Sequence, residues 1–116
     1  MHKLVILIGP LDDRQDLDDF WPDFLHQAEL MPGLQREATS HVESFLYGTG
    51  QYIQMHELFF DSLQEVQQAM ASTPGKAAGA LLQRMTQGKL SLFIADHKED
   101  DLINIKKYQI RGDETN

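Results

Sequence analysis

The stretch Leu4-Val-Ile-Leu-Ile8 is apolar at every position. Successive side chains of a strand point to opposite faces, so a strand built from this run must be covered from both sides. Two further stretches carry apolar residues on both faces. In Lys89–Ala95, Leu90, Leu92 and Ile94 stand against Phe93 and Ala95. In Tyr52–Phe60, Ile53, Met55 and Phe59 stand against Tyr52, Leu58 and Phe60. A sheet made of such strands needs helices on one face and a second cover on the other.

The rest of the chain supplies the helices. Leu17, Phe20, Trp21, Phe24, Leu25, Ala28 and Met31 recur at helical spacing, and Pro32-Gly33 stops the pattern. Pro22 falls inside it. Because proline is accommodated in a first turn, the sequence predicts a helix starting near Phe20 and capped by Asp18 or Asp19. Residues 34–46 read as a second strand, and Gly48-Thr-Gly50 as a hairpin turn into the third. Asp61-Ser-Leu-Gln-Glu65 is a capping box, with Ser62 accepting the amide of Glu65 and Glu65 reaching back to the amide of Ser62. The helix it opens spans about 62–72. A second piece opens at Thr73-Pro74, carries Ala77, Ala80, Leu81 and Met85, and closes at Gly88.

The order strand, helix, strand, strand, two-piece helix, strand is the α+β, ferredoxin-like split β-α-β-β-α-β arrangement, one antiparallel sheet with its helices on one face. With 116 residues, no element remains to cover the other face. A second copy would do so, which predicts a homodimer closed face to face into an α/β barrel. The expected domain spans residues 1–97. Residues 98–116 form an extension with a further strand at about 102–110, pairing within or across subunits, and a flexible tail.

Composition narrows the function classes. The net charge of −8 repels phosphate backbones and anionic lipid, so neither nucleic acid nor a membrane is an expected partner. No cysteine is present, which excludes disulfides, thiolate catalysis and zinc–thiolate sites. The first strand is too short to span a bilayer and no small-residue cleavage site follows it, so the chain is expected to be cytoplasmic.

Leu4–Ile8, Met31-Pro-Gly-Leu34, His56-Glu-Leu-Phe-Phe-Asp-Ser62, Ala71-Ser-Thr-Pro-Gly75 and Gly88-Lys-Leu-Ser-Leu-Phe-Ile94 together resemble the EthD family, named for ethyl tert-butyl ether degradation. The resemblance spans roughly residues 1–97. It implies a dimer of ferredoxin-like subunits enclosing small hydrophobic pockets, in a superfamily that includes cofactor-independent monooxygenases, isomerases, haem-degrading proteins and dye-decolourising peroxidases. Many EthD-like proteins carry a His-x-Pro run on the first helix, the His eight residues before the Pro of the Pro-Gly stop. Here that position is Phe24, and the position two further on is His26 rather than Pro.

The candidate site residues are Trp21, Phe24, Arg36, His41, Tyr52 and His56. Trp21 and Phe24 on the helix, with Tyr52 and Met55 on the sheet, have the composition of a small-molecule cavity, or of ordinary core. His41 and His56 lie on neighbouring strands and, with Glu43 or Glu57, could shuttle protons or hold a metal. No His-x-His or His-x-x-x-His spacing occurs, so no metal is expected. Arg36 shares the parity of Leu34, Ala38 and Val42 and calls for a carboxylate, Glu57 or an acid of the partner. Asp96-His97 is discounted because adjacent strand residues face opposite ways. The leading expectation is a homodimer that binds a small, largely apolar metabolite as an auxiliary to an oxidative or catabolic pathway, with no cofactor. The second is a cofactor-independent oxidoreductase or monooxygenase. The third, a haem-handling protein, would need His26 or His56 as donor.

Overall fold

A computed structural model describes residues 1–103. The elements are β1 (His2–Ile8), α1 (Gln15–Glu29), β2 (Arg36–His41), β3 (Gln54–Phe60), α2 (Leu63–Ala71), α3 (Thr73–Thr86) and β4 (Leu90–Asp96). The four strands form one antiparallel sheet in the order β2-β3-β1-β4, the ferredoxin-like arrangement. Residues 104–110 of the expected fifth strand lie outside the described part.

Register assigns the two faces. Ile6 pairs with His56 on one side and Leu92 on the other, so the even-numbered residues of β1, β3 and β4 share a face. On it Leu4, Ile6, Ile8, Leu58 and Phe60 pack against Leu17, Phe24 and Ala28 of α1, Val66 and Ala69 of α2, and Ala78, Leu82 and Met85 of α3. The odd-numbered face carries Val5, Leu7, Met55, Phe59, Phe93 and Ala95, together with Ser91 and the Lys3–Glu57 ion pair. Phe93 keeps 45% of its surface exposed there, on the largely apolar second face that the first strand demands.

Several boundaries differ from the sequence reading. Helix α1 begins at Gln15, whose amide donates to the Asp13 carboxylate at 2.9 Å, and it runs straight through Pro22. A proline there forfeits one helical hydrogen bond and costs about 3 kcal/mol. Burying Leu17 and Phe24 offsets it, at about 1.5–3 kcal/mol for each large side chain. Strand β2 covers only Arg36–His41, and one further bond, Val42 N–H to the Ile53 carbonyl at 3.0 Å, leads into the connection. In that connection Leu46 and Tyr47 are each 97% exposed. No packing draws residues 43–46 into the ladder.

The capping box forms with one shift. Ser62 Oγ accepts the Glu65 amide at 3.1 Å, and Glu65 accepts the amide of Asp61, not Ser62, at 3.1 Å. Ser72, not Thr73, caps α3, accepting the Gly75 amide at 3.1 Å. The α2–α3 elbow is tight: a Cβ on Gly75 would stand 2.0 Å from the Ala69 carbonyl oxygen, so only glycine fits.

Candidate functional site

Three of the six candidate residues meet. Trp21 and Phe24 stand one turn apart on α1, and the even parity of His56 points its ring at both. The ring centroids lie 5.0 Å apart for Trp21–Phe24, 5.1 Å for Trp21–His56 and 5.6 Å for Phe24–His56, the two imidazole contacts being edge-on. Such geometries add to simple burial.

His56 is fully buried and engaged at both nitrogens. Nδ1 lies 2.8 Å from Thr39 Oγ1, and Nε2 lies 3.1 Å from the Glu37 carboxylate. With the imidazole neutral and Glu37 ionised, the Thr39 hydroxyl donates to Nδ1 and Nε2–H donates to Glu37. Burial lowers the His56 pKa to about 4, while the Glu57 carboxylate pulls the other way. The Glu37 carboxyl is raised, first by desolvation and then by the neighbouring Glu29. At neutral pH the imidazole is therefore uncharged.

Neither Glu37 nor Thr39 was visible as a candidate. Thr39 is the cross-strand partner of His56, but the alternating sets of β2, Glu37/Thr39/His41 and Arg36/Ala38/Ser40, are both mainly polar. No apolar stripe fixes which set faces the helices, and a one-residue slip exchanges them.

The other candidates lie elsewhere. His41 is exposed and pairs with Gln54, so it is Thr39, not His41, that faces His56. His41 and Trp21 line a cleft of about 180 Å³. Tyr52 shares a 3.3 Å hydrogen bond with Ser91 at a wide groove where β1 ends and β4 begins. Arg36 is on the odd-numbered face. Its carboxylate partner is Glu99, at 2.6 Å, rather than Glu57, and its guanidinium stacks 3.8 Å from the Phe59 ring centroid. Glu57 pairs instead with Lys3 at 2.5 Å. His97 packs edge-on to Phe59 and bonds Glu99 at 2.5 Å. Of the two haem-donor candidates, His26 is exposed and His56 has no free nitrogen. Among the described residues no three His, Cys, Asp or Glu side chains group as a metal site, and no helix is long and apolar enough to cross a membrane.

Beside the aromatic cluster, on the far side of Phe24, lies a cavity of about 190 Å³ between the sheet and the helices. Phe24, Met31, Leu58, Leu82, Met70 and Leu92 line it, with Gly79 of α3 and the Lys76 stem. Met70 and Leu92 are 37% and 46% exposed, which puts its mouth between α2 and the edge of β4. Phe24 thus has one side on the cavity and the other on His56.

This architecture recurs in solved proteins. An EthD family protein from Bacillus halodurans is 25% identical, with a TM-score of 0.76 over 84% of this chain and 99% of its own. A dimeric ferredoxin-like protein of unknown function from Jannaschia sp. is 13% identical, with a TM-score of 0.67 over 83% of this chain and 98% of its own. A cofactor-independent oxygenase from Streptomyces nogalater is 7% identical, with a TM-score of 0.65 over 85% of this chain and 94% of its own. No family model matches the chain, and no curated protein does. The fold defines the class, a ferredoxin-like α+β protein. Within that class the chain is EthD-like.

Proposed function

We propose that the protein is a homodimer that takes a small, largely apolar metabolite into the cavity between α1, α3 and the sheet, as an auxiliary to an oxidative or catabolic pathway. The observation that carries this reading is the cavity itself, about 190 Å³ with a lining of Leu, Ile, Met and Phe side chains and a mouth at the β4 edge. Apolar cavities of about 150 Å³ bind benzene-sized ligands, so this one suits a single substituted ring. Dimerisation is supported by the largely apolar odd-numbered face with its half-exposed Phe93, and the Jannaschia neighbour is dimeric.

Gly79 offers the test. A Cβ there meets no heavy atom within 4 Å, and the residue both lines the cavity and sits inside a helix. Gly79→Leu fills the void while improving helix propensity by up to about 1 kcal/mol. Toluene followed by NMR should bind the wild type and lose at least about tenfold in affinity in the variant, which should melt no lower. Equal binding by both proteins overturns the reading.

A cofactor-independent oxygenase is the second reading, favoured by the uncharged His56, which packs against the Phe24 ring that lines the cavity. To accept a proton from a hydroxyl substrate, His56 Nδ1 would have to release the Thr39 hydroxyl and act from a pKa of about 4. Substrate-dependent oxygen uptake with a naphthol, abolished in His56→Gln, would support it. Uptake unchanged by that substitution would sink it.

A further inference from the structure

We infer that the cleft on the opposite side of Trp21 is a second binding site, selective for a small, neutral, planar molecule with a carboxamide or lactam edge. Two observations on different elements converge there. The first is Gln54, which is 3% exposed on β3 and lines the cleft, yet whose carboxamide makes no hydrogen bond among the described residues. The amide atoms keep contact with solvent, so the carboxamide opens into the cleft, where a ligand can take the place of water. The second is Pro22. Its missing N–H leaves the Asp18 carbonyl without its helical donor, and Asp18 and Pro22 both line the same cleft.

The complement follows from this inventory. Gln54 offers a donor and an acceptor side by side, and the Asp18 carbonyl offers an acceptor. A primary carboxamide or lactam presents the matching donor–acceptor edge, with N–H to spare for the carbonyl. An anion gains no free cation there, because the Arg14 guanidinium that also lines the cleft is paired with the Asp18 carboxylate at 3.7 Å, in a chain of net charge −8. The Trp21 indole and the Pro22 ring give a flat ligand a surface, and the exposed His41 imidazole stands at the rim. The cleft holds about 180 Å³, enough for one ring with its amide. Trp21 lines this cleft and Phe24 the apolar cavity, and the two linings share no residue, so this site stands independently of the one proposed above.

Benzamide is the probe, with toluene as control, each titrated into the full chain while the Trp21 indole N–H and Gln54 side-chain NH₂ resonances are followed. Benzamide should shift both. Gln54→Leu, which keeps the bulk and removes the amide, should weaken it about tenfold or more. Pro22→Ala should also weaken it, by restoring an N–H to the Asp18 carbonyl, while raising the melting temperature. Toluene binding should ignore both substitutions and be lost only in Gly79→Leu, which separates failure of this site from failure of the other. Benzamide binding unaltered by either substitution overturns the inference, as does the absence of any shift at Trp21 and Gln54. So does toluene shifting those same two resonances.

Discussion

The buried imidazole makes a quantitative prediction about acid stability. His56 has a folded-state pKa of about 4 against an ordinary 6.5. Between those values the unfolded chain binds a proton that the folded one does not, so stability falls as pH falls through this window. The loss relative to neutral pH works out at about 1 kcal/mol at pH 6, about 2 at pH 5 and about 3 at pH 4, flattening below. The raised carboxyl of Glu37 acts oppositely, because the stability it contributes is present at low pH and lost as pH rises through its folded value. His56 must therefore be isolated by difference. His56→Gln keeps a neutral hydrogen-bonding side chain and removes the titration. Urea unfolding of both proteins from pH 7 to pH 4, at one protein concentration because a dimer's stability depends on it, gives the comparison. Trp21, the chain's single tryptophan, touches the His56 ring and reports on unfolding. The wild-type advantage over the variant should shrink by about 3 kcal/mol across the range. Parallel stability curves would refute the claim that the imidazole is held uncharged.

Three further outcomes follow from packing. Gly75→Ala drives a Cβ onto the Ala69 carbonyl and should destabilise by about 2–3 kcal/mol in urea unfolding, whereas Gly79→Ala, with open space at the same helix, should stabilise by up to about 1 kcal/mol. Phe24→Ala should cost about 3–5 kcal/mol, and by joining the cavity to the space beside His56 it should shift the ligand preference in calorimetry towards two-ring compounds. Phe93→Glu places a charge on the face proposed to pair, and sedimentation should show a shift from dimer towards monomer with the far-UV spectrum unchanged.

What the residues disclosed depended on where a periodicity existed to be read. Strands β1, β3 and β4 and the stripe of α1 carry strong apolar patterns, and their order alone identifies the ferredoxin-like arrangement. Pro22 misled because a local rule placed the helix start after it, while the burial of Leu17, upstream of the proline, holds the helix from Gln15. Strand β2 misled for the opposite reason. With polar residues on both sides it left its parity open, which hid Glu37 and Thr39 and left undecided which β2 residue faces His56. Gln54 was invisible because a glutamine at a strand start is ordinarily exposed. Its burial is a product of register and of α1 lying across it.

Phe24 links these levels. The EthD resemblance places a helix histidine where this chain has phenylalanine, and the structure puts that ring 5.6 Å from His56. A histidine there would give two facing imidazoles at the cavity wall, able to pass a proton between them. With Phe24 in place, the cavity meets an apolar ring, and His56 behind it spends both nitrogens on Thr39 and Glu37. Chemistry at His56 would require Phe24 to move aside, and moving a fully buried phenylalanine costs several kcal/mol, about what its truncation would. Binding in the cavity requires no such motion. That difference favours the proposed binding role over the catalytic one, and oxygen uptake by the wild type and His56→Gln tests the catalytic reading.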